Sequence, residues 1–150
     1  MIAVLCSGQG TNLQAMLDAV RTGRLRARVA LVIADRAQAY ALVRAARARV
    51  PAAFVNPTAF PSGQAFERQL IRMLEASRVQ LICLAGFMRI LSPAFVRRFP
   101  NRILNIHPAL LPAFPGGAAI RDALVWGAKV TGGTVHLVDE RVDHGPILLQ

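Results

Sequence analysis

Asn105 and His107 stand two residues apart at the end of an apolar run, with Pro108 directly after them. Side chains two apart in a strand share a face. An amide and an imidazole would then converge at the strand's carboxyl end. The amide can donate to a carbonyl oxygen, and the imidazole can donate or shuttle a proton near neutral pH. Asp143 lies in Val142-Asp143-His144-Gly145-Pro146, where a carboxylate could orient an imidazole or move a proton through water. Plainer readings exist for each: a hydrogen-bonded histidine at a strand end, and an aspartate among turn formers. Taken together the three side chains fit chemistry at a carbonyl carbon.

A second group is Ser7-Gly8-Gln9-Gly10-Thr11-Asn12, directly after the first apolar run. Its glycines allow a tight turn, and amides at the following helix start can hold an anion such as phosphate. The third glycine of a dinucleotide fingerprint is absent, and so is the Gly-Lys-Ser/Thr of a P-loop. An ordinary strand-to-helix turn is the alternative. His107, His136 and His144 lack metal-ligand spacing, and Cys6 and Cys83 are far apart in the chain, so no metal is expected. No serine sits in a Gly-x-Ser-x-Gly elbow, which argues against a serine hydrolase.

The elements that must position these groups are legible as hydrophobic periods. Residues 4–6, 27–34, 52–55, 79–85 and 102–106 read as short apolar strands. Helical spacing puts Leu13, Met16, Leu17 and Val20 on one face, with Thr11 or Asn12 as the cap. Further helices are expected over 37–49, 64–77, 93–98 and 118–126, and two last strands over 129–138 and 146–150. Alternating strands and helices predict an α/β fold: a doubly wound, mostly parallel, Rossmann-like sheet with helices on both faces and an antiparallel last pair. Such sheets bind ligands beyond the carboxyl ends of their strands. Residues 7–12, 86–91 and 105–112 fall there.

A chain of 150 residues, 54% hydrophobic and 17% charged, excludes a disordered tail and fits one domain. The longest apolar run, around 79–88, is too short to cross a bilayer. Residues 1–5 show neither a basic leader nor a cleavage site, and two cysteines in apolar runs fit a reducing cytoplasm. The net charge of +10 comes from scattered arginines and one lysine, Lys129. No aromatics interleave with them, and no nucleic-acid-binding motif is present. The charge reads as a means of gathering small anions, with neither nucleic acid nor membrane as partner. The chain stops at Gln150 within an expected strand, so a further C-terminal segment is expected.

At these residues the sequence resembles the phosphoribosylglycinamide formyltransferase family of folate-dependent enzymes. The resemblance runs from residue 4 to residue 150. It is carried by Ser7-Gly8-Gln9-Gly10-Thr11-Asn12-Leu13-Gln14, Leu84-Ala85-Gly86-Phe87-Met88-Arg89-Ile90-Leu91-Ser92-Pro93 and Leu104-Asn105-Ile106-His107-Pro108-Ala109-Leu110-Leu111-Pro112. Thr131-Gly132-Gly133-Thr134-Val135-His136 and Asp143-His144-Gly145-Pro146 complete it. The resemblance implies that Gly10, Thr11 and Asn12 bind the phosphate of phosphoribosylglycinamide. It implies folate contacts at Met88, Arg89, Ile90 and Leu91, at Asn105, and at Asp139, Glu140, Arg141, Val142 and Asp143. Asn105, His107 and Asp143 match the catalytic trio.

The implied reaction moves the formyl group of 10-formyltetrahydrofolate, the co-substrate, to the amine of phosphoribosylglycinamide in purine synthesis, without a metal. Asn105 and a protonated His107 would donate to the formyl oxygen. The implied protein is cytoplasmic, a monomer or a homodimer. Two departures stand out: a folate-tail arginine of some members aligns near Gly63, and residues 117–120 lack the family's polar side chains. The alternatives are a formyltetrahydrofolate hydrolase, with water as acceptor, and a truncated, inactive folate-binding module. A methionyl-tRNA formyltransferase fits less well, because its first loop differs.

Overall fold

The computed structural model describes residues 1–150, which divide into two compact units, Met1–Arg89 and Ile90–Gln150. In the first, β1 (Ile2–Cys6), β2 (Val29–Ala34), β3 (Ala52–Phe54) and β4 (Leu81–Leu84) alternate with α1 (Thr11–Arg21), α2 (Tyr40–Arg47) and α3 (Gly63–Ala76). β1 pairs in parallel with both β2 and β4, and β2 pairs in parallel with β3. β1 and β2 are buried at every position, as expected for strands without a solvent face. Leu13 and Leu17 of α1 and Phe66, Leu70 and Leu74 of α3 are buried, three or four residues apart. Each such side chain contributes about 1.5–3 kcal/mol by leaving water.

The second unit holds α4 (Pro93–Arg98), β5 (Ile103–His107), α5 (Ala119–Trp126), β6 (Thr134–Leu137) and β7 (Ile147–Leu149). Ser92 caps α4 by accepting from the Phe95 amide, and Pro93 opens the helix where its missing N–H costs nothing. β5 pairs antiparallel with β6, and β6 antiparallel with β7. The register sets Asn105 opposite His136 and His107 opposite Thr134. The fold is thus α/β with a mostly parallel sheet, as the periodicity predicts.

Three boundaries differ from expectation. Neither Thr11 nor Asn12 caps α1: both are helical, and the cap is Gly10, in the left-handed region at φ 68°. Its carbonyl accepts the Gln14 amide at 2.9 Å. A Cβ at Gly10 would stand 2.7 Å from that of Ala41, so only glycine fits the close approach. α2 starts at Tyr40, not near residue 37, because residues 35–38 turn first. β6 covers only Thr134–Leu137 of the expected 129–138, since Gly132 and Gly133 favour open chain over pairing. No helix is long and apolar enough to cross a membrane.

Cys6 and Cys83 are free and buried. Burial pushes both thiols up from 9.0 to about 11, and the charge of Asp35 adds to the effect at Cys6. The folded state therefore holds both protons longer than the unfolded chain. This stability is fully present below pH 9.0 and is lost as pH rises towards about 11. The urea midpoint should fall across that interval in the wild type. It should fall less in a variant carrying both Cys6→Ala and Cys83→Ala, and equal slopes would contradict the account.

Candidate active site

The loop after β1 opens on a cavity of about 240 Å³ lined by residues 7–12 together with Arg36, Ala85, Gly86 and Met88. Its walls are tied by backbone: the Ser7 amide donates to the Gly86 carbonyl at 3.0 Å. The Met88 amide donates to the Ser7 hydroxyl oxygen at 2.9 Å. The Gly8 carbonyl accepts the Ala41 amide at 3.2 Å. From outside, Arg44 Nε donates to the Gln9 carbonyl at 2.8 Å, and its Nη1 to Gln14 Oε1 at 3.1 Å. A turn fixed on three sides, at the start of a helix, suits a small anion. Arg36, at the rim, and Arg44, behind the loop, are residues that the motif alone does not single out.

The second centre lies within Ile90–Gln150, where β5, β6 and the turn before β7 meet. His107 is buried and sits between two acceptors. Its Nδ1 is 3.2 Å from Asp143 Oδ2, and its Nε2 is 2.7 Å from the Phe114 carbonyl oxygen. Only the imidazolium donates to both. Asp143 Oδ2 also accepts the Gly116 amide at 2.8 Å, and Oδ1 accepts from Asn105 Nδ2 at 3.2 Å. The trio expected from the sequence is therefore one hydrogen-bonded cluster.

His136 joins it, and sequence reasoning missed this. Asn105 Nδ2 lies 3.1 Å from His136 Nε2, whose ring Nδ1 faces the Leu137 carbonyl at 2.9 Å. The Nδ1–H tautomer satisfies both contacts. Asn105 consequently spends both amide hydrogens inside the protein, one on His136 and one on Asp143. Donation to a further oxygen would exchange one of these two bonds. Thr134 is a second missed residue. Its hydroxyl donates to the Ala109 carbonyl at 2.7 Å and accepts the Leu111 amide at 3.0 Å, which fixes the chain leaving His107. The signal for both was the antiparallel register, which motif spacing does not show.

The remaining residues implied by the resemblance are dispersed. Gly10, Thr11 and Asn12 line the cavity, as does Met88. Arg89 lies 4.0 Å from Asp35 Oδ2 and over the Phe66 ring. Ile90 is exposed and Leu91 buried. Asp139 accepts the Arg141 amide and His144 Nδ1, Glu140 pairs with Arg97 at 2.9 Å, and Val142 is half exposed.

The fold and these centres are those of an α/β group-transfer protein. Over 99% of its length the chain superposes on glycinamide ribonucleotide transformylase 1 from Symbiobacterium toebii with a TM-score of 0.97 and 58% identity, covering 70% of that chain. Residues 1–150 match the formyl transferase family, and the chain belongs to it. It is 44% identical over 149 residues to phosphoribosylglycinamide formyltransferase of Escherichia coli K12, covering 99% of this chain and 70% of the relative. It is 48% identical over 151 residues to the trifunctional purine biosynthetic protein adenosine-3 of Drosophila pseudoobscura. The chain covers 99% of itself in that match and 11% of the fly protein's length.

The turn that carries Asp143 depends on the glycine that follows it. A Cβ at Gly145 would run into the Leu137 carbonyl, which is backbone and cannot yield. At Gly132 a Cβ would meet only the flexible end of Leu110, at 2.8 Å. Gly145→Ala should cost about 1–3 kcal/mol in urea denaturation, the usual range for overpacking. Gly132→Ala should cost clearly less, and the reverse order would contradict the packing.

Proposed function

We propose that the chain is the catalytic domain of a phosphoribosylglycinamide formyltransferase, acting on 10-formyltetrahydrofolate and phosphoribosylglycinamide. The observation that carries this reading is the His107 imidazole held between the Asp143 carboxylate and a carbonyl oxygen. A ring that already donates to one carbonyl is aimed for another. The glycine-bounded cavity of residues 7–12 supports a phosphorylated acceptor, with Gly10, Thr11 and Asn12 supplying the donors. A reducing cytoplasm suits the two free thiols.

In this mechanism the substrate amine attacks the formyl carbon, and the carbonyl π pair moves to oxygen. His107 Nε2–H turns from Phe114 to that oxygen. Asn105 exchanges its His136 bond for the same oxygen. Asp143 keeps its bond to His107 and takes the proton of the attacking amine through water. The intermediate then collapses: the carbonyl re-forms, the bond from formyl carbon to folate nitrogen breaks, and that nitrogen takes a proton from His107. Asp143 gives its proton back through water to the bared Nε2 of His107, since Nδ1 has kept its own, so each turn restores the starting forms.

Folate deformylation, followed with and without the ribonucleotide, tests the reading. Turnover that requires the ribonucleotide is expected. Turnover with water alone would identify a formyltetrahydrofolate hydrolase, and folate binding without turnover an inactive module. His107→Ala and Asp143→Asn should each lower kcat by about 10²–10³, the usual loss of an oxyanion donor or its support. Both variants should unfold cooperatively in urea. Near-normal rates in both would remove the mechanism.

A further inference from the structure

We propose that His144 is a positioning residue, whose imidazole staples the turn that delivers Asp143 to the buried centre. The proposal rests on the formyl-transfer reading for its kinetic consequence and on geometry for the rest. Asp143 and His144 are neighbours whose side chains part. The Asp143 carboxylate is 11% exposed and the His144 ring 56%. Asp143 holds φ 49°, a left-handed conformation that costs a non-glycine residue free energy and persists only where its surroundings enforce it.

The enforcement is visible on the outer side of the turn. Asp139 Oδ2 accepts His144 Nδ1–H at 2.7 Å, and Asp139 Oδ1 accepts the Arg141 amide at 2.9 Å. Arg141 Nη1 approaches His144 Nε2 at 3.4 Å. The ring's Nδ1 faces Asp139 and its Nε2 faces Arg141. One imidazole thus ties residue 139, where the turn begins, to residue 144, where it ends. Beyond it the Leu137 amide donates to the Pro146 carbonyl at 2.9 Å, and Gly145 packs on the Leu137 carbonyl. Burial pushes the Asp139 carboxyl up. The His144 hydrogen bond, the Arg141 amide and the charges of both residues outweigh it and leave the group below its ordinary value. Asp139 is therefore a charged acceptor at neutral pH, which is the strong form of this bond.

The closing experiment compares wild type with His144→Ala, His144→Asn and Asp139→Asn by two readouts. The asparagine amide nitrogen at 144 reaches the place of the imidazole Nδ1 and keeps the donor. The alanine loses it, and the change at Asp139 removes the charge from the other side. The first readout is the proton NMR signal of His107 Nδ1–H, which its carboxylate partner shelters from exchange. It should be present in wild type and His144→Asn, and lost in the other two. The second is steady-state kinetics. In His144→Ala, kcat should fall about tenfold, as a displaced catalytic group predicts. KM for phosphoribosylglycinamide should stay within about twofold, and His144→Asn should restore kcat. A retained proton signal in His144→Ala or Asp139→Asn would overturn the proposal. So would an asparagine variant as impaired as the alanine one. A wild type without turnover would count against the formyl-transfer reading instead, and the His107 signal would still decide the role of His144.

Discussion

A carboxylate taken out of water must be paired and hydrogen-bonded, or its burial costs several kcal/mol. Asp143 meets that condition with three donors from two stretches of chain: Asn105 Nδ2 and His107 Nδ1 on β5, and the Gly116 amide in the loop after it. The loop after β5, the strand β5 itself and the turn before β7 are each held by the same two oxygens. β6 joins through Asn105, whose Nδ2 also lies 3.1 Å from His136 Nε2. The group that would move a proton is thus also the group that keeps its neighbours satisfied. Loss of the whole carboxyl group would leave a backbone amide and an imidazole without their acceptor, and unmade bonds to buried groups cost more than made bonds contribute.

How much of this was legible in the sequence depends on the period involved. The strand period of two put Asn105 and His107 on one face with no knowledge of the fold. The helical period put Leu13, Met16, Leu17 and Val20 on one face; Leu13 and Leu17 are buried and the other two half-buried. His136 was visible as the last residue of the Thr131–His136 motif, with no role attached to it. Its place beside Asn105 follows from the β5–β6 register, and register is a tertiary fact. Thr134 gave no signal for the same reason: a threonine in an apolar stretch reads as strand filler until its hydroxyl is found between Ala109 and Leu111. The cap of α1 was misplaced because side-chain preference favours Thr or Asn. The close approach of Ala41 overrode that preference and required glycine.

The two centres use different means to hold what they bind. In the loop after β1 the fixed elements are amides and carbonyls, with Arg44 bracing Gln9 from behind. Backbone donors carry no proton that titrates near neutrality, so under the proposed function the cradle would keep its donors as pH changes. The buried centre is built from side chains with exchangeable protons, and its state depends on where those protons sit. Binding by the one and chemistry by the other is a division that suits a transferase. One substrate needs an anchor that never changes, and the reacting carbon needs groups that do.

The same contrast bears on why the donors of the buried centre are already engaged. His107 Nε2 faces the Phe114 carbonyl, and Asn105 Nδ2 faces His136 and Asp143. At first sight this removes them from catalysis. The alternative is worse, because free donors in a buried site would carry a desolvation penalty of about 1–3 kcal/mol each. An arriving carbonyl oxygen replaces one acceptor by another, so the number of hydrogen bonds is conserved at His107. The gain appears only as the oxygen becomes an anion, since a bond to a charged acceptor is roughly twice as strong as one to a neutral carbonyl. A neutral carbonyl such as that of Phe114 competes with the substrate but not with the transition state. In the proposed reaction the arrangement would concentrate its stabilisation at the point where charge develops, which is the condition for raising the rate rather than merely the affinity.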